Sequence, residues 1–287
     1  MTETLLAGVR HYVWRPWLAS VAIFVVFIAV WHFLTAAGSA DASGVDPEYA
    51  RLAGQSATQQ SAAIPTPGAV ARRGFELLLN AFDRSNPNNL GIAWHLYYSL
   101  GRVLLGFALA VVVAVPLGFA LGLFPSFYQA LNPFIQVLRP ISPLAWMPLA
   151  LYAFRDSGIS AIFIIFICAL WPMLINTAVG AATVRQEWVN VSRVFGLSTY
   201  EHVTRIMFPA SVPMIMTGAR ISIGIAWFVI VAAEMVGAQS GIGYFIWNEW
   251  NNLQIASMIV AIALIGLIGL ALDSMLAWTG RKLSFRE

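Results

Sequence analysis

The sequence predicts an all-α protein that crosses a membrane six times. Three observations carry that prediction. Of 287 residues, 59% are hydrophobic and only 10% are charged, whereas soluble domains carry roughly 25% charged residues. The mean hydropathy is +0.75. The apolar residues also cluster into runs of roughly the 20 residues needed to cross a hydrocarbon core about 30 Å thick. So little charge excludes a soluble enzyme, a disordered tail and a nucleic-acid module. The net charge of +3 does not reopen the last of these, because the basic residues are scattered and Lys282 is the only lysine. Cys168 is the one cysteine, so no intrachain disulfide can form, and its apolar run marks it as a packed hydrophobe.

Taken in order, Trp17–Ala37 is the first apolar run, with His32 its only ionisable residue. It is too long for a signal peptide and lacks a small-x-small cleavage pattern, so a retained helix is expected. Residues 38–92 are polar, with Asp41, Asp46, Glu48 and the run Gln55–Ser61 before the turn Pro65-Thr66-Pro67-Gly68. Ala69–Phe82 then reads as a short amphipathic helix, too short and too charged to span. Five further spans are placed at 93–123, 128–154, 158–183, 212–237 and 255–281. The division is 1–92, a spanning helix with an outer segment, and 93–287, a five-helix core with a loop at 184–211.

Arginine sets the direction. Arg10 and Arg15, Arg185, Arg193 and Arg205, and Arg281, Lys282 and Arg286 all fall on one side of a six-span topology. By the positive-inside rule that side is the cytoplasm, and both termini lie there. The 38–92 segment has four arginines against five acids and suits the outside. Trp94, Trp247 and Trp250 then sit at outer boundaries as interfacial anchors. Gly237, Gly241 and Gly243 with Tyr244 read as an outer loop between spans five and six. Gly118 and Gly122 form a small-x3-small face for close helix packing.

The 184–211 loop reads as two short helices around a turn. Gly196 ends the first in a left-handed conformation, Ser198 or Thr199 caps the second, and Pro209 ends it and starts the following span. The triplet Asn190-Val191-Ser192 matches a glycosylation acceptor, but its cytoplasmic side discounts it. Gly196 is followed by nine residues and then Ile206-Met207-Phe208-Pro209. This spacing resembles the cytoplasmic coupling loop of binding-protein-dependent ABC importer permeases. There the pattern is Glu-Ala-Ala, three residues, Gly, nine residues, Ile-x-Leu-Pro. Here Asn190-Val191-Ser192 stand at the Glu-Ala-Ala positions and Phe208 at the Leu, so any contact of that family's glutamate is lost.

The resemblance extends over roughly residues 90–285. Ser99-Leu100-Gly101-Arg102-Val103-Leu104-Leu105-Gly106-Phe107 and Arg139-Pro140-Ile141-Ser142-Pro143-Leu144-Ala145-Trp146-Met147-Pro148-Leu149 are similar to the nitrate, sulfonate and taurine branch. Ile164–Gly180 and Ile230-Val231-Ala232-Ala233-Glu234-Met235, with Gly241-Ile242-Gly243-Tyr244-Phe245-Ile246-Trp247 after it, resemble nitrate transport permeases. Bicarbonate permeases share these motifs. The resemblance implies the type I ABC importer permease fold in a bacterial inner membrane. It also implies a second copy of the chain, two cytosolic ATPase subunits, a periplasmic or lipid-anchored binding protein and membrane lipid as partners. Glu187, Asn190, Val191, Ser192, Val194, Gly196, Leu197 and Tyr200 are the coupling residues it implies. The chain has no Gly-x4-Gly-Lys-Ser/Thr phosphate loop, so ATP and magnesium belong to the ATPase partners and this chain is no enzyme. The four histidines, His11, His32, His95 and His202, are scattered, and no metal site or cofactor is expected.

Charges at membrane depth each need an account. Arg220 lies about eight residues, roughly 12 Å, from the inner end of its span. Asp273 lies at matching depth, so these two are expected to pair. Arg102 and Glu234 form a second candidate pair nearer the outside, and Glu249 sits in the outer loop. Arg139 is near the midplane with no acid at its depth and Pro140, Pro143 and Pro148 after it. Broken helices at membrane depth line cavities, so Arg139, Ser142, Trp146, Asn176 and Glu234 are the candidate translocation residues. Against that, Arg139 could bond carbonyls freed by the prolines, or snorkel.

The function expected is an ATP-driven importer permease for a small inorganic anion. Nitrate or nitrite comes first, then bicarbonate, cyanate and a sulfonate such as taurine. A stand-alone secondary transporter would show internal repeats and leave the long loop idle. A membrane enzyme would cluster histidines or carboxylates, which this chain does not.

Overall fold

The computed structural model describes residues 16–41, 64–84, 90–185, 187–188, 190 and 194–283. Among them, regular structure is helical throughout. The α-helices are α1 (Pro16–Asp41), α2 (Pro67–Leu79), α3 (Ile92–Leu123), α4 (Pro125–Leu138), α5 (Met147–Phe154), α6 (Ser157–Ala182), α7 (Thr199–His202), α8 (Phe208–Met235), α9 (Ile242–Asn251) and α10 (Ile255–Leu283). The chain divides into two compact units, 1–76 with 254–260, and 77–253 with 261–287.

In the first unit, α1 carries one uninterrupted apolar run whose Ile23, Phe24 and Phe33 side chains are exposed, as suits a helix facing hydrocarbon. Thr35 Oγ1 donates back to the Trp31 carbonyl at 2.8 Å, so its hydroxyl is satisfied without water. α2 starts two residues before the expected Ala69, because Pro67 presets the first-turn dihedral and Thr66 Oγ1 accepts from Ala69 N–H at 3.3 Å. Arg73 donates to Ser257 Oγ at 2.9 Å and to Glu76 at 3.2 Å.

In the second unit, α6 packs along both α3 and α8. Lipid tails are as apolar as leucine, so such contacts rest on close packing and interhelical hydrogen bonds. The small faces of α3 meet α6 directly. A Cβ on Gly118 would lie 2.6 Å from Thr177 Cβ, and one on Gly122 2.6 Å from the Ala178 carbonyl oxygen. Ser222 Oγ of α8 donates to the Ala169 carbonyl of α6 at 2.8 Å. Trp227 Nε1 donates to the Ile265 carbonyl at 2.9 Å.

The structure departs from the sequence reading in three places. The span expected at 128–154 is not one helix. It is α4, a break at 139–142, a 3₁₀ turn Pro143–Trp146 and α5, with 86° between the two halves. Among the described residues five helices are long and apolar enough to cross a membrane, and there are six if this bent pair counts as one span. Pro140 lies within the break and Pro143 follows it, and neither can donate to a helix ladder. Pro209 starts the following span as expected, in the first turn of α8, but it does not end the helix before it. Residues 203–207 widen into a π-turn, with Phe208 N–H donating to the Val203 carbonyl, and the chain stays helical from α7 into α8. The wider turn admits the proline at the start of α8. The outer loop expected around Gly237–Tyr244 ends at Gly241, and Gly243 and Tyr244 fall in α9, whose buried face is Ile242, Gly243, Phe245, Ile246 and Glu249.

Gly118→Leu should destabilise the detergent-solubilised protein by about 1–3 kcal/mol through overpacking. Gly101→Leu, which meets nothing within 4 Å, should leave thermal unfolding unchanged. Equal effects of the two would refute the packing argument.

Candidate functional site

Three features of the second unit concentrate its polar chemistry. The first is a buried network at the junction of α3, α8 and α9. Glu234 is 0% exposed. Ser99 Oγ donates to its Oε2 at 2.7 Å, Arg102 to its Oε1 at 2.7 Å, and Gly243 N–H to Oε2 at 3.1 Å. Arg102 also donates to the Ser240 carbonyl at 2.7 Å and to Ser240 Oγ at 2.9 Å. The first turn of α9 has N–H groups without intrahelical partners, and other helices supply them. Gly241 N–H donates to His95 Nδ1 at 3.1 Å and Ile242 N–H to Ser99 Oγ at 2.8 Å. An accepting Nδ1 places the His95 proton on Nε2. Gly241 has φ of +117°, and a Cβ there would run into the Glu234 carboxylate, so only glycine fits.

The second feature is the broken span. Arg139 closes α4 and lines two cavities, one of about 950 Å³ and one of about 280 Å³. It forms no ion pair with a described residue. Asn176 lines the smaller cavity and its Nδ2 donates to the Pro172 carbonyl at 2.8 Å. Trp146 packs against the core formed with α6 and α8, while Ser142 is exposed beside the 3₁₀ turn; neither lines these cavities. Glu234 lies apart, within the network on α3 and α9. The structure thus brings Arg139 and Asn176 together and separates the other three. Arg220 donates to Asp273 Oδ1 at 2.9 Å and to Oδ2 at 2.8 Å. That two-point pairing joins α8 to α10.

The third feature is the loop before α8. Glu187 and Asn190 are exposed in a helical stretch, and Val191 and Ser192 lie outside the described residues. Gly196 has φ of +64° and turns the chain, and Leu197 is half-buried. Ser198 and Glu201 make a reciprocal cap. Ser198 Oγ accepts from Glu201 N–H at 3.3 Å, and Glu201 Oε2 accepts from Ser198 N–H at 3.2 Å. Around this turn Val194, Phe195 and Tyr200 are 85%, 75% and 77% exposed, an apolar patch unusual for a protein surface.

Sequence reasoning reached Arg102, Glu234, Arg220 and Asp273 but missed His95, Ser99 and Ser240. His95, Ser99 and Arg102 share one face of α3 at i, i+4 and i+7. That polar stripe on an apolar helix was the available signal.

The family described as binding-protein-dependent transport system inner membrane component matches residues 104–285. The nitrate import permease protein NrtB of Synechocystis sp. is 46% identical over 215 residues, covering 75% of this chain and 78% of that one. The NrtB protein of Synechococcus elongatus is 36% identical over 296 residues, covering 99% of both. The bicarbonate transport system permease protein CmpB of the same species is 40% identical over 226 residues, covering 77% and 81%. Among solved structures, an inward-facing MetNI methionine ABC transporter aligns with a TM-score of 0.59 at 14% identity, covering 68% of this chain and 98% of that one. That likeness establishes the fold.

The network makes a double-mutant prediction. Glu234→Met alone strands the Arg102 guanidinium and should cost about 3–5 kcal/mol, whereas Arg102→Met with Glu234→Met should recover most of it. Thermal unfolding of the solubilised protein reads both. A double variant no better than the single would refute the pairing.

Proposed function

The chain belongs to the family of binding-protein-dependent transport inner membrane components, and on that premise we propose that it imports a small inorganic oxoanion, nitrate or nitrite first. It is the permease of an ABC importer and not an enzyme; ATP hydrolysis lies with separate subunits. The observation that carries the anion is Arg139. It is a cation without an acidic partner among the described residues, set at a break in a membrane-depth helix between two cavities. A charge so placed is functional by default. Nitrate stands ahead of bicarbonate because the 46% identity is to a nitrate permease. Bicarbonate is the second reading, supported by the 40% identity to CmpB.

The working complex pairs two copies of this chain with two cytosolic ATPases, which hold ATP and magnesium, and an outer binding protein. Both termini face the cytoplasm of a bacterial inner membrane. Val194, Phe195 and Tyr200 seat against an ATPase, with Glu187, Asn190, Val191, Ser192, Gly196 and Leu197 completing the coupling loop. From Tyr200 to Met235 the chain is helical for 36 residues, about 54 Å. That rod carries movement of the ATPases to the Glu234 network at its far end, and the path opens alternately to the two sides.

Vesicles holding this permease with its ATPases and binding protein should take up labelled nitrate only with ATP, and excess unlabelled bicarbonate should not compete. Competition by bicarbonate would exchange the two readings. Arg139→Gln should cut uptake at least about tenfold with the complex intact; unchanged uptake would remove Arg139 from the path. Val194→Asp places a charge in the dry centre of the ATPase contact and should release the ATPases on purification. Full retention would argue against this docking face.

A further inference from the structure

α4 is amphipathic inside a region built to meet lipid. Gln129, Asn132, Gln136 and Arg139 follow each other at intervals of three, four and three residues, and all four line the 950 Å³ cavity. The opposite face carries Phe134 and Val137, 64% and 67% exposed. The four polar side chains form no hydrogen bond or ion pair with a described residue, although Asn132 is half-buried. Three carboxamides and a guanidinium would be costly against hydrocarbon, so this face meets water, an ion or protein. Across the cavity stand Leu121 and Gly122 from the end of α3 and Ala178 and Ala182 from the end of α6, which are small or apolar. The cavity therefore has one polar wall. It lies at the end of the bundle where α6 runs into the loop before α8.

We propose that Gln129, Asn132, Gln136 and Arg139 are the inner half of the translocation path, a ladder of neutral carboxamide donors leading a small oxoanion from Arg139 to the cytoplasm. This rests on the oxoanion reading above. Each carboxamide offers two N–H donors, and successive rungs are about 4.5–6 Å apart along the helix axis. An oxoanion can bond the next rung before releasing the last. From Gln129 to Arg139 the ladder rises about 15 Å, half of a hydrocarbon core of about 30 Å. Conduction requires binding weak enough to leave and repeated enough to proceed. A line of lysines would hold the anion, whereas neutral amides pass it on. The single cation sits at the top, where the ion leaves the narrower cavity shared with Asn176.

The test uses the full complex with its ATPases and binding protein in vesicles, with labelled nitrate or bicarbonate as the probe. In the triple variant Gln129→Leu, Asn132→Leu and Gln136→Leu, assembly and ATPase stimulation by loaded binding protein should hold within about twofold, while ions imported per ATP fall at least about tenfold. Gln136→Glu should block uptake by like-charge repulsion, and Gln136→Lys should keep it. That dependence on the sign of the charge is one a packing role would not produce. Wild-type uptake in the triple variant would overturn the ladder and leave the transporter reading standing. Failed assembly in the triple variant, with Gln136→Glu and Gln136→Lys equally impaired, would show the stripe to be a protein contact and overturn it. A wild-type complex that hydrolyses ATP on stimulation but imports neither anion would overturn the oxoanion reading and the ladder with it.

Discussion

The second unit depends on how one buried carboxylate is held. An ion of that size loses several kcal/mol of effective solvation on burial even after relaxation. Glu234 survives at 0% exposure because every direction of its carboxylate is answered: a hydroxyl from α3, a guanidinium from α3 and the N-terminal backbone of α9. The answer is reciprocal. α9 begins without a side-chain cap of its own, and its first N–H groups find partners only on α3 and α8. Loss of either side strands the other. Three helices and the turn between α8 and α9 are therefore fixed by a single arrangement, and glycine at 241 is a consequence of it.

Charge pairing elsewhere follows the same economy. Arg220 and Asp273 join α8 to α10 by two parallel hydrogen bonds, a geometry that orients as well as attracts. Small residues bring α3 against α6, and single hydroxyl and indole donors tie α8 to α6 and α10. Each interhelical bond of this kind contributes on average about 0.6 kcal/mol in a membrane protein. The scaffold is held by many small terms, with one large, fully satisfied one.

What the sequence could disclose divides along physical lines. Spans follow from apolar run length, so α1, α3, α6 and α10 were legible nearly to their ends. The meeting of Arg220 with Asp273 follows from depth alone, since two charges at one level in hydrocarbon have few other partners. Gly196 in the loop was legible from spacing. α9 was not, because three glycines near its start mimic a loop. Gly237 turns the chain at φ of +87°, while Gly241 and Gly243 are there for close approach to Glu234 and Val231, a tertiary demand invisible locally. The π-turn before Pro209 was hidden for a similar reason, since a proline reads as a stop unless the preceding turn widens. The carboxamide stripe on α4 was written plainly at i, i+3 and i+7. Glutamine and asparagine carry no charge, so at membrane depth their stripe gives a weaker signal than a guanidinium or a carboxylate.

The mechanical contrast between α8 and the broken span bears on how an importer of this kind would work. From α7 through α8 the chain stays helical for 36 residues, through the π-turn and past Pro209 and Pro213, so under the proposed function force applied at Tyr200 is carried along one continuous helix toward Glu234. Between α4 and α5 the ladder is already interrupted, and Pro140 and Pro143 keep it from closing. The 86° angle there can change without breaking a backbone hydrogen bond. A rod and a hinge in one unit assign strain to a definite place. Under the proposed function, displacement of the rod is absorbed where no ladder must be paid for, and that place is beside Arg139. The only cation of the broken span then sits at the joint where the helix ladder is already interrupted. Its exposure to one cavity or the other becomes a matter of angle, with no need to break the Glu234 network that holds the rest of the unit.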